Sequence, residues 1–106
     1  MIITSTDTVE GRPATQYLSM VAGEAIMGVN VFRDLFSSIR DIVGGRAGGY
    51  QAALREARDA AFADMTAAAQ ALGADAIVGV DIDYEVLGKE NGMLMVSVNG
   101  TAVRLS

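Results

Sequence analysis

The stretch "DAIVGVDIDYEVL", Asp75 to Leu87, alternates apolar and polar side chains, and a period of two demands an extended strand with two unlike faces. Val78, Val80, Ile82, Tyr84 and Val86 then share one face, and Asp81, Asp83 and Glu85 share the other. "GKENG", Gly88 to Gly92, reads as a turn, and "MLMVSVNGTAVRL", Met93 to Leu105, as the returning strand. On that strand Leu94, Val96 and Val98 point one way, and Met95, Ser97 and Asn99 the other. Directly opposed residues project to the same face, so the two apolar sets must pair. A five-residue loop places Leu87 opposite Met93, Glu85 opposite Met95, Asp83 opposite Ser97 and Asp81 opposite Asn99. On the other side Tyr84 meets Val96 and Ile82 meets Val98. A four-residue loop would set carboxylates against valines. Asn99–Gly100 has the composition of a tight turn. The strand is nonetheless read as continuous, because "TAVRL" alone buries little and Ala102 continues the apolar face.

Upstream, "TQYLSMVAGEAIMGV", Thr15 to Val29, is apolar at both parities and reads as a strand buried on both faces. Tyr17, Val21, Ala25 and Met27 fall on one face, and Leu18, Met20, Ala22 and Ile26 on the other. Gly23 suggests a bulge, and Glu10–Gly11–Arg12 a turn before Pro13. Asn30 reads as the N-cap of a first helix carrying Phe32, Leu35, Phe36, Ile39, Ile42 and Val43 on one side, with Gly44 as its stop. A second helix runs from about Gly49 to Leu72, with Tyr50, Leu54, Ala57, Ala61, Met65, Ala68 and Leu72 as its inner face and Gly73 as its end. The order is strand, helix, helix, strand, strand. The helices are expected over the sheet face carrying Val80, Ile82, Leu94 and Val96, which makes an α+β two-layer domain.

Composition narrows the function classes. At 106 residues the chain is one domain, and with 51% hydrophobic but only 6% aromatic residues its core must be aliphatic. A net charge of −5 argues against nucleic acid and against an anionic membrane surface. No apolar run approaches the ~18 residues of a membrane span. "MIITSTDTVEG" has neither the basic start nor the long apolar stretch of a signal peptide, so a cytoplasmic protein is expected. A mean hydropathy of +0.32 is high for a small monomer, and self-association is the simplest outlet.

The chain contains no cysteine and no histidine. Disulfides, thiolate or imidazole zinc sites, and nucleophile–histidine catalysis are therefore excluded. Catalysis is not the expected role, because no residue marks a nucleophile or an oxyanion hole. Three features remain. The loop "GGRAGGYQ" with Arg46 precedes a helix, where anions are attracted. It lacks GxxxxGK[ST] and follows a helix rather than a strand, so a helix–helix corner is the first reading and an anion at Arg46 the second. The row Asp81, Asp83 and Glu85 presents carboxylates at i, i+2 and i+4. Adjacent members are ~6.5–7 Å apart along the strand. Two can reach one ion; with Ser97 and Asn99 they suit Mg²⁺, Ca²⁺ or Mn²⁺. The competing reading is a solvated strand face. Met93 and Met95 are a soft pair read chiefly as packing groups, and Glu24 is a candidate for a partly buried acid.

"GEAIMGVNVFRDLFSSIRDIVGGRAGGY", "LGADAIVGVDIDYE" and "MLMVSVNGTAV" closely resemble the YbjQ family of small bacterial and archaeal proteins, from about Ser5 to Val103. The family carries a heavy-metal-binding label without an assigned activity. The resemblance implies a dodecin-like subunit with an antiparallel sheet in the order 1-3-2. It also implies a homopentameric ring in which short extra strands aid assembly, with Ile2–Ser5 a candidate for one of them. Soft heavy metals prefer thiolate and imidazole, so a metal here would fall to Asp81, Asp83, Glu85 or the methionines. Two functions follow as expectations: a homo-oligomeric module binding a divalent metal or small ligand at the acidic face, or a structural or adaptor ring acting through protein partners.

Overall fold

The computed structural model describes residues 1–28, 47–87 and 93–106. Five elements occur among them: β1 (Ile2–Ile3), β2 (Ala14–Met27), α1 (Ala47–Ala71), β3 (Ala76–Leu87) and β4 (Met93–Leu105). The four strands form one sheet in the order β1-β3-β4-β2. β4 pairs antiparallel with both β3 and β2, while β1 adds in parallel to β3. The sheet is therefore mixed, not purely antiparallel. The N-terminal segment adds a short strand, Ile2–Ile3, to the sheet of its own chain. The expected first helix, the stop at Gly44, the corner with Arg46 and the Gly88–Gly92 turn lie outside the described residues.

The hairpin register follows the apolar pairing. Leu87 lies opposite Met93, Glu85 opposite Met95, Asp83 opposite Ser97 and Asp81 opposite Asn99, with Tyr84 opposite Val96 and Ile82 opposite Val98. β4 runs unbroken through Asn99–Gly100. Leu94, Val96, Val98 and Ala102 are buried on the face that α1 covers, and Val80 and Ile82 pack against them.

Further down β3 the alternation misleads. Val78 pairs with Thr101 but Asp81 with Asn99, so β3 carries one extra residue at Gly79–Val80. Gly79 is left-handed, with φ +62°, as a glycine bulge requires. The bulge reverses the parity of everything before it. Val78 shares no face with Val80; it joins Ala76, Val103 and Leu105 in a second small core on the far side of the sheet, roofed by Val9. The displaced amides are satisfied by the N-terminal segment: Gly79 N–H donates to the Thr6 carbonyl (2.9 Å) and Val80 N–H to the Thr4 carbonyl (3.1 Å). Opposite the bulge, a Cβ on Gly100 would lie 2.7 Å from Ile77 Cγ2 and 3.1 Å from the Val78 carbonyl oxygen, so any larger residue there forces its neighbours to shift.

β2 is shifted in the same way. Its register against β4 slips between Ala14 and Gln16 and again between Tyr17 and Ser19. The second slip removes Tyr17 from the face of Val21, Ala25 and Met27, and Leu18 packs on the helix side instead. Gly23 lies in a regular stretch and not at a bulge. Its role is close approach: an added Cβ would overlap the Ala61 carbonyl oxygen and sit 2.5 Å from the Met65 amide nitrogen. The helix backbone thus rests directly on β2, which an alanine-lined face permits.

That face is Ala53, Ala57, Ala61, Met65 and Ala69, all buried at steps of four. It is rotated from the expected one: Ala68 is exposed and Leu72 is 41% exposed. Alanine occurs on every side of α1, so side-chain type alone does not mark the inner stripe. The helix ends in a Schellman motif at Gly73 (φ +79°), with Ala74 N–H donating to the Ala69 carbonyl and Gly73 N–H to that of Gln70. Among the described residues no helix is long and apolar enough to cross a membrane.

Candidate functional site

The sheet face away from α1 is exposed along its hairpin half, and three cross-strand rows define it. Asp81, Asn99 and Ala22 form one, Asp83, Ser97 and Glu24 the next, and Glu85, Met95 and Ile26 the third. Asp81, Asp83 and Glu85 therefore share a face as their spacing predicts, and all three are exposed. Ser97 and Asn99 stand beside them on β4. Glu24 lies at the end of the Asp83–Ser97 row, two strand spacings or about 9–10 Å from Asp83. It is exposed, not partly buried. Its place in the acidic row was invisible to local patterning, because it depends on the β2–β4 register between residues 73 positions apart in the chain, Glu24 and Ser97. The Glu24 amide is held from the edge of the sheet by the Asp64 carboxylate of α1 at 3.2 Å.

Asp83 interacts most strongly with Asp81. The Asp83 carboxyl is pushed above its ordinary value of 3.8, first by the charge on Asp81, next by a hydrogen bond between the two side chains, then by partial desolvation and by Glu85. The pair thus holds a proton more tightly than an isolated aspartate would. Asp83, Glu85, Ser97 and Met95, with Tyr84 at the rim, line a shallow groove of about 400 Å³. Among the described residues no three carboxylates converge on one point. Two carboxylates, a hydroxyl and a carboxamide are hard oxygen donors, which suit a partly hydrated divalent ion of the Mg²⁺, Ca²⁺ or Mn²⁺ type. A soft, thiolate-seeking ion does not fit this donor set; Met95 offers a single thioether at its margin.

The described residues define a small α+β domain, with one helix layered on a four-stranded mixed sheet among them and an acidic strip on the sheet's open face. Over residues 1–106 the chain matches the model of the YbjQ family, described as "Putative heavy-metal-binding", and it belongs to that family. The fold is similar to that of a crystal structure of a protein of unknown function, of the DUF74 family, from Pediococcus pentosaceus ATCC 25745. That likeness has a TM-score of 0.67 at 17% sequence identity and covers 100% of this chain and 98% of the other.

Proposed function

We propose that the chain is a cytoplasmic, homo-oligomeric binding module that takes a divalent cation on the acidic strip, with Asp81 and Asp83 as its anchoring ligands and Glu85 beside them. The Asp81–Asp83 pair carries this reading: two neighbouring carboxylates on one strand face repel one another, which raises the Asp83 carboxyl above its ordinary value, and a bound cation relieves that repulsion. The family's description supports metal binding; the donor set points to hard ions over soft ones. Isothermal titration with Mn²⁺, Ca²⁺, Cu²⁺ and Zn²⁺ is the test. Heat is expected from Mn²⁺ or Ca²⁺ and is expected to vanish in the double variant Asp81→Asn with Asp83→Asn. Heat from no ion, or heat that survives the double substitution, overturns the cation reading.

A second reading, a ring that acts structurally or as an adaptor for protein partners, rests on a different observation. On the same open face, Tyr17 is 72%, Met20 78% and Ile26 59% exposed, an apolar strip beside the acidic one. Both readings share an assembly, for which the family resemblance supplies the pentamer. A pull-down that recovers only the chain itself counts against the adaptor role and leaves the cation site standing.

A further inference from the structure

At the other end of the open face, the N-terminal segment builds a second recess. A tight turn, closed by Arg12 N–H donating to the Val9 carbonyl at 3.1 Å, folds the segment back over the sheet. The recess under it has a volume of about 380 Å³, within the ~300–1,000 Å³ typical of small-molecule sites. Its apolar lining includes the buried Val78 and Leu105, the half-buried Val9 and Pro13. Two carboxylates, Asp7 and Glu10, stand on its wall, and the exposed ring of Tyr17 stands at its mouth. Among the described residues, no basic side chain lines it. The nearest in sequence, Arg12, is turned to the Ser106 carbonyl, to which its Nε donates at 3.2 Å.

An apolar patch, two acids with no basic neighbour among the described lining residues, and an aromatic rim are complementary to one kind of small molecule. We propose that this recess binds an organic cation, an aliphatic amine whose hydrocarbon body lies on Val9, Val78 and Leu105 while its ammonium group faces Asp7 and Glu10. A bare metal ion would gain nothing from the apolar patch, and an organic anion would be repelled by the wall. A neutral hydrocarbon would leave both carboxylates unused. Tyr17 adds attraction for a cation over its ring face. The recess shares no residue with Asp81, Asp83 or Glu85, so it stands or falls independently of the metal site.

The test is a methyl-detected NMR titration of the whole chain at low ionic strength with 1,5-diaminopentane, alongside pentanol and glutarate. Saturating shifts are expected at the methyls of Val9, Val78 and Leu105 with the diamine alone. In the double variant Asp7→Asn with Glu10→Gln the affinity should fall about tenfold, since two partly exposed charge contacts are lost. Both positions are exposed, so the variant's unchanged methyl dispersion will show that it still folds. The double variant Asp81→Asn with Asp83→Asn should bind the diamine as wild type does. Equal shifts from pentanol, an unaltered affinity in the Asp7/Glu10 variant, or a response that disappears with Asp81 and Asp83 would each overturn the proposal.

Discussion

As pH rises past 3.8, an unfolded Asp83 gives up its proton while the folded one, facing Asp81, keeps its own. In that window the folded state binds more protons than the unfolded, so stability falls with rising pH until the raised folded value is passed. Asp83→Asn removes the effect. The variant should match wild type at about pH 3 and melt higher than wild type near pH 7, as thermal unfolding followed by circular dichroism at both pH values would show. A bound cation should close that gap at neutral pH by stabilising wild type alone. Two glycines set the other residue-scale limits. Gly23→Ala puts a methyl group into the backbone of α1 at Ala61 and Met65, which cannot retreat as a side-chain tip would. A loss of at least ~3 kcal/mol in urea unfolding is expected. Gly100→Ala meets Ile77 Cγ2, which can give, and the Val78 carbonyl, which gives less; ~1–3 kcal/mol is expected.

Among the elements, α1 is where side-chain type says least and packing decides most. With alanine around its whole circumference, several stripes are equally compatible with a 3.6-residue period. The buried stripe is the one that places small residues over Gly23 and sets Met65 in the middle of the main core. Met65→Ala should therefore cost ~2–5 kcal/mol, whereas Leu72→Ala should cost within ~0.5 kcal/mol. Equal losses from the two would mean that the helix is rotated toward the periodicity read from sequence. In the hairpin the opposite holds. The pairing from Leu87–Met93 to Asp81–Asn99 was legible, because two alternating strands joined by a short turn admit one register that keeps carboxylates off valines. The legibility stopped at Gly79, where one extra residue exchanges the two faces.

At the scale of the whole molecule, the open face is divided into an acidic strip on β3, an apolar strip on β2 and the recess under the N-terminal segment. An assembly in which the apolar strips are covered would reconcile Met20 and Ile26 with the chain's mean hydropathy of +0.32. Light scattering at micromolar concentration is expected to return about five times the 11.0 kDa chain mass, following the family resemblance. Met20→Ser with Ile26→Ser should lower that mass toward the monomer and leave the helical circular dichroism intact. A wild-type mass of one chain would remove the assembly.

Composition alone excluded thiolate, imidazole and triad chemistry, because absent residue types cannot be supplied by any fold. Local pattern was enough for the strand–turn–strand register, the stop at Gly73 and the shared face of Asp81, Asp83 and Glu85, since each depends on neighbours within one element or one turn. Three things were decided only by tertiary structure. The bulge at Gly79 is held because Thr6 and Thr4, which follow β1, accept the amides of Gly79 and Val80 on carbonyls more than seventy positions away in the chain. Glu24 joined the acidic row because β4 carries both partners, aligning β2 with β3. The recess at Asp7 and Glu10 exists because Val9 roofs a second core that the bulge turned outward. Periodicity reports the faces of a single strand; which face reaches the core, and which distant group stands beside it, is fixed by pairing energies that no local window contains.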